Sequence, residues 1–364
     1  LTFRCPAASL RLVPTPLASI ALFLALTAAS LAADAYKWSV QYLIDNSEAV
    51  EGRSQMKFPR RNRGLALSPD GKYLYAGYHH SWNGQGEVRK IAVDVPDYQM
   101  ATERVLPGPL GKAIATDDKG RVYIADVHGL LIYDADLEEE QHRVHVTNCE
   151  GVAVVRENGK LLLYTSDRAR STVERWVLTE EGKRVTDATP AGFDGTGIFH
   201  VTAARSLRGL KVDARGNIWV CDYEGGRVFR IRKDGKDMNW VEVKTPMDLA
   251  FDGKRIFVTR GIERAISVID DEMVVAGSLN VPWEELELSL YGNNRTGSLS
   301  GIVTVPGKGF YVANEGGQTG NQRSTYGTAD DLAEIIEGKV FRDATNDDNE
   351  PILKATAVIT TAAK

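Results

Sequence analysis

The sequence predicts an all-β protein, a six-bladed β-propeller, on three observations. A hairpin-like segment recurs six times, beginning at Arg63, Lys112, Glu150, Arg208, Met247 and Ser300, with start-to-start spacings of 49, 38, 58, 39 and 53 residues. Each copy joins a short apolar run, a glycine-containing turn and an aromatic-rich strand. Further strand-like runs follow most copies, and four short strands per repeat is the arithmetic of a propeller blade. Glycine is also abundant, at 34 of 364 residues, against a usual ~7%, as a turn-rich β protein requires.

Residues 1–35 read as a separate object, a secretory signal peptide. Arg4 and Arg11 precede the apolar run Leu17–Leu26, and small residues then permit cleavage after Ala32 or Ala35. The run is short of the ~20 residues a membrane span needs, so no transmembrane segment is expected. The predicted mature chain, 36–364, is a single domain, monomeric, secreted or periplasmic.

Within it, Trp38–Ile44 reads as an outer strand without a blade of its own, and Leu353–Thr360 competes with it to close the ring. The hairpin turns are Asp70-Gly71, Asn158-Gly159, Arg215-Gly216 and Asp252-Gly253, residue types that accept positive φ. Third strands are expected at Gly86–Val93, Leu130–Asp134, Thr172–Leu178, Gly226–Arg232, Ala265–Ile269 and Gly338–Arg342, and outer strands at Arg143–Thr147, Trp240–Lys244 and Val274–Leu279. Pro282–Ser298 and Gln318–Gly338 break the rhythm and read as loops over a face, available to a protein partner. The first contains the sequon Asn294-Arg295-Thr296.

A hydrophobic share of 43%, a charged share of 26% and a net charge of −5 fit a folded globular chain. They exclude a general nucleic-acid binder, which carries a basic face and a high pI. No Walker loop, dinucleotide fingerprint, Gly-x-Ser-x-Gly elbow or zinc-finger spacing is present. Cys149 and Cys221 remain after signal removal; a disulfide between them and two buried free thiols are both open.

At Gly209–Val220 (GLKVDARGNIWV) followed by Gly225–Ile231 (GGRVFRI), the chain resembles the SMP-30/gluconolactonase family, and NHL-repeat propellers share the same blade grammar. The blade pattern covers roughly 60–345, and the close match is confined to this fourth repeat. The resemblance implies a divalent cation, usually calcium, held in the central channel by acidic and Asn residues at the starts of inner strands. Here those positions are Arg63, Lys112, Glu150 and Arg208. Calcium wants an anionic cage of oxygens, so the calcium cage reads as degraded.

Inner-strand starts face one channel mouth, so Arg63, Lys112, Glu150, Arg208, Met247 and Ser300 form a ring with three cations and one carboxylate. Such a ring suits a small anionic ligand, a sugar acid, carboxylate or phosphate, with Arg offering bidentate geometry. A second ring, Tyr78, Asp126, Asp167, Asp222, Arg260 and Asn314, ends the second strands near the same mouth and is predicted able to neutralise the first. The enzyme alternative is a diverged metal-dependent lactone or ester hydrolase, or a propeller lyase. In it Glu150 and Asp222 are the catalytic candidates, and His79, His80, His128, Asp126 and Asp167 the ligands of zinc or another divalent metal. The turn acids Asp70, Asp118 and Asp252 and the second-strand aromatics read as scaffold.

Overall fold

The computed structural model describes residues 36–43, 62–79, 86–93, 102–261, 265–271, 283–287, 299–305, 309–314 and 352–359. Residues 39–356 form one compact unit; of a second unit, 1–38 and 357–364, only 36–38 and 357–359 are described.

Among the described residues all regular structure is β, in six sheets. β1 (Tyr36–Leu43) belongs to the last of them. The first sheet is β2 (Asn62–Leu67), β3 (Tyr73–His79), β4 (Gly86–Ala92) and β5 (Thr102–Gly108); the second is β6 (Ala113–Thr116), β7 (Val122–Asp126), β8 (Gly129–Tyr133) and β9 (Glu140–Val144). The third is β10 (Cys149–Glu157), β11 (Lys160–Asp167), β12 (Thr172–Glu181) and β13 (Arg184–Pro190), with β14 (Ile198–His200) also on β12. The fourth is β15 (Leu207–Val212), β16 (Ile218–Asp222), β17 (Arg227–Ile231) and β18 (Met238–Glu242). The fifth is β19 (Pro246–Asp252), β20 (Arg255–Arg260), β21 (Ala265–Asp270) and β22 (Trp283–Glu287). β23 (Leu299–Val305), β24 (Gly309–Asn314) and β25 (Ile352–Ile359) complete the sixth, in the order β1-β25-β24-β23.

The inner strands neighbour one another in a closed circuit, β2, β6, β10, β15, β19, β23 and back to β2. This is the β-propeller arrangement. Packing follows the two-residue period of a strand. Tyr75 of β3 joins Val88, Ile114, Val122 and Ile124 between the first and second sheets. Its neighbours Leu74 and Ala76 join Leu65, Tyr311 and Ala313 between the first and sixth. Likewise Trp219 and Cys221 face the fifth sheet while Ile218 and Val220 face the third. Both faces of each second strand are covered, so these strands read as continuous apolar and aromatic runs rather than alternating ones.

In the fourth and second sheets a carboxylate fixes the turn distal to the ring residue. Asp213 accepts from the amides of Arg215 (2.9 Å) and Asn217 (2.8 Å), from Asn217 Nδ2 (2.9 Å) and from Trp219 Nε1 (3.0 Å). Asp117 repeats the motif with the amides of Lys119 and Arg121, Arg121 Nε and the Tyr123 hydroxyl. Asp118, expected as a turn acid of the scaffold, lies in this turn and pairs with Arg156 at 2.8 Å. The expected turn glycines 71, 159, 216 and 253 have positive φ, as does Asn158.

Three strand expectations are corrected. The fourth strand of the fifth sheet is Trp283–Glu287, inside a stretch expected to be loop, while the expected Val274–Leu279 lies outside the described residues. The third strand of the sixth sheet is Ile352–Ile359, not Gly338–Arg342, which also lies outside them. The two terminal strands do not compete, since β25 pairs with β24 and β1 follows β25. Gln318–Gly338 and the sequon at Asn294 lie outside the described residues, as do residues 1–35.

Candidate functional site at the channel mouth

The six predicted ring residues line one cavity, together with Ala113, Gly209, Asp248 and Gly301; its space, including the part open to solvent, is about 280 Å³. Two backbone features bring them so close. Inner strands β2, β10, β15, β19 and β23 each carry a register shift at the ring position, a bulge that turns consecutive residues toward the mouth. Four ring residues, Arg63, Glu150, Arg208 and Ser300, are also followed by a glycine against which a neighbouring strand closely packs. A Cβ on Gly301 would lie 2.1 Å from the Arg63 carbonyl oxygen, one on Gly64 2.6 Å from that of Gly111, and one on Gly151 2.4 Å from that of Arg208. The Arg208 carbonyl accepts from Ser166 Oγ (2.7 Å), the Ser300 carbonyl from Thr259 Oγ1 (2.5 Å) and the Arg63 carbonyl from Ser300 Oγ (3.3 Å).

Glu150 is the electrostatic centre. Its Oε1 accepts from Lys112 Nζ at 2.6 Å, its Oε2 from Arg208 at 2.8 Å, and Arg63 stands 3.7 Å from Oε2. The Glu150 side chain is 3% exposed. Burial pushes its carboxyl up, but Arg208, Lys112 and Arg63 together outweigh burial and hold it below the ordinary range. Lys112 is braced by Asn148 Oδ1 (3.1 Å), and the Arg208 guanidinium lies 5.2 Å from the Tyr223 ring centre. A carboxylate held by three cations is a fixed counter-ion and a weak proton acceptor.

Among the described residues the carboxylates of the second ring make no ion pair with the cations of the first. Asp126 accepts from the Leu110 amide (2.9 Å), Asp167 from the amides of Ala169 and Arg170 and from Arg170 Nε, and Asp222 from the amides of Arg205, Ser206 and Gly225. These carboxylates tie down turns, and none of the three lines the cavity. Tyr78 is buried against Arg89, Arg260 is buried, and the Asn314 side chain lies outside the described residues.

Asp248 was not anticipated. Strand alternation from Met247 would send it away from the mouth; the bulge in β19 returns it to the cavity. Its Oδ2 accepts from the Ile302 amide (3.3 Å), and Lys211 Nζ stands 3.6 Å from Oδ1. Burial pushes the Asp248 carboxyl up, against the pull of Lys211. An irregular inner strand is the signal that would have found it, and single-sequence periodicity does not carry that signal.

Among the other candidates, His128 is exposed on the turn after β7. The His79 side chain and all of His80 lie outside the described residues. Among the described residues no group of three His, Cys, Asp or Glu side chains could hold a metal ion. Cys149 and Cys221 are free and buried, Cys149 in the core between the second and third sheets and Cys221 in that between the fourth and fifth. Burial pushes both thiols well up, so neither is poised as a nucleophile.

No family model and no curated protein sequence matches the chain. Solved structures do. A chain from a nidogen/laminin complex superposes with a TM-score of 0.51 at 14% identity, over 67% of this chain and 84% of that one. A catalytically inactive virginiamycin B lyase from Staphylococcus aureus, with quinupristin, gives 0.51 at 11% identity over 88% and 100%. A PQQ-bound aldose sugar dehydrogenase from Streptomyces coelicolor gives 0.49 at 12% over 90% and 100%. At such identities the likeness is one of fold, the β-propeller, and that fold hosts many unrelated functions.

Proposed function

We propose that this chain is an exported, six-bladed β-propeller that binds a small anionic ligand at the channel mouth, through Arg63, Lys112, Arg208 and Ser300, with Glu150 holding the cations in place. The observation that carries the reading is the convergence of three cations on one carboxylate in a cavity, while the acids of the second ring are engaged by backbone amides. Cations from the first, second and fourth sheets are held in position before a ligand arrives, so little ordering cost remains on binding. The six sheets and the closed circuit of inner strands support the blade count. The apolar run at 17–26 supports export, and the 209–231 segment supports a place near the SMP-30/gluconolactonase and NHL-repeat group.

Calorimetric titration of the full chain with citrate, gluconate and inorganic phosphate tests the reading. At least one anion is expected to bind, and Arg208→Ala to weaken it tenfold or more, as loss of a charge-assisted hydrogen bond implies. Unchanged affinity in Arg208→Ala removes that residue from the site; no binding of any anion overturns the reading.

A further inference from the structure

We infer that the mouth takes a small zwitterion, a molecule with an ammonium group beside its anionic one, and that Asp248 is the residue that binds the ammonium. The inference rests on the anion-binding reading above and names the ligand's second group. The repeat singles Asp248 out. Directly after the six ring residues stand Gly64, Ala113, Gly151, Gly209, Asp248 and Gly301. Strands pack so closely here that a Cβ on Gly209 would lie 2.7 Å from the Asp248 Cα and 2.3 Å from its Oδ1. The fifth copy alone carries a charged side chain at this position, and that side chain lines the cavity.

Packing gives no reason for an acid there. Asp248 is 6% exposed, and a carboxylate so buried is costly unless its hydrogen bonds are made. Its Oδ2 accepts from the Ile302 amide at a long 3.3 Å, and its Oδ1 accepts no hydrogen bond. Lys211 Nζ, 3.6 Å from Oδ1, stands beyond hydrogen-bond reach and is not among the residues that line the cavity. Glu150, in the same cavity, has one oxygen taken by Lys112 and the other by Arg208. Burial pushes the Asp248 carboxyl up against the pull of Lys211, the behaviour of an acid short of donors. Its main chain is fixed, since its amide donates to Oγ1 of the buried Thr259 at 3.1 Å. An ammonium supplies what Oδ1 lacks, N–H donors and a positive charge in one compact group. Hydrogen bonds between ionised partners are roughly twice as strong as those between neutral ones, which favours an ammonium over a hydroxyl. The anionic end of the same molecule then meets Lys112 and the two arginines across the cavity.

The test is calorimetric titration of the full chain at pH 7 and constant ionic strength with free glycine, glycolate, acetate and inorganic phosphate. The first three differ only in the group beside the carboxylate, and phosphate reports on the anion site itself. Glycine is expected to bind about tenfold tighter than acetate or glycolate, as a charge-assisted hydrogen bond implies. Asp248→Asn, which keeps the shape and removes the charge, should bring the glycine-to-acetate ratio to within about twofold of one. Where that variant does not fold, Asp248→Ala makes the same test with the side chain that Ala113 already carries in the second repeat. Acetate or glycolate binding as tightly as glycine overturns the inference, and so does a glycine preference that the Asp248 variants leave unmoved. Phosphate binding without glycine binding overturns it too, while leaving the anion site intact. If none of the four binds, the reading beneath it fails as well.

Discussion

Gly301→Ala tests the closure on which the site depends. Gly301 follows the ring residue Ser300 on β23, and the strand beside it is β2, more than 230 residues earlier in the chain. A methyl group there would sit 2.1 Å from the Arg63 carbonyl oxygen and 3.0 Å from the Leu65 nitrogen. Ordinary contact needs more than 3 Å, so β2 and β23 must part by about an ångström, a shift that packed cores resist. Overpacking of this kind costs about 1–3 kcal/mol. Losing the Ser300 Oγ hydrogen bond to the Arg63 carbonyl adds about 1 kcal/mol, for a total of roughly 2–4 kcal/mol. Urea unfolding followed by tryptophan fluorescence measures the cost as a lowered midpoint at unchanged slope. Arg63 is carried on the displaced backbone, so anion affinity should fall with stability. A variant within about 0.5 kcal/mol of the parent would mean that β2 and β23 do not meet at this distance, and the ring described here would not close as stated.

Two further outcomes follow from the same geometry. Asp213→Ala removes four hydrogen bonds and strands the buried Trp219 Nε1 and the Asn217 amide; a loss of about 3–5 kcal/mol is expected, with a shifted Trp219 emission, and a loss under about 1 kcal/mol refutes the anchoring role. Glu150 has a folded pKa below its unfolded value, so its contribution is complete above the ordinary glutamate range and is lost as pH falls through the folded value. Stability measured from pH 7 to pH 3 should therefore drop more steeply in the parent than in Glu150→Gln; parallel curves refute the caged carboxylate.

The extent to which the site was legible in the sequence follows from how each residue is placed. Arg63, Lys112, Glu150 and Arg208 were found because they occupy the same register in a repeat, and the repeat dictates that equivalent positions meet at one mouth. Asp126, Asp167 and Asp222 occupy an equally regular register, yet their side chains turn to loop amides, and sequence offers no way to see which partner a carboxylate takes. Asp117 and Asp118 look alike in sequence until one is seen to cap the turn and the other to reach Arg156 in the next sheet.

Sequence alone determined the β class, the repeat and the hairpin turns, because these depend on local backbone preference and on a two-residue period that short segments display unaided. It also picked out the six inner-strand residues that line the mouth, since their common register follows from the repeat. Tertiary structure decided what only distant segments can decide. It put Ile352–Ile359 beside β24, with Tyr36–Leu43 beyond it, from opposite ends of the chain. It gathered three cations from three sheets onto Glu150. It brought Asp248 into the cavity through a bulge. Each of these rests on packing between strands far apart in sequence, where distance and burial, rather than residue type, fix the partner and the charge.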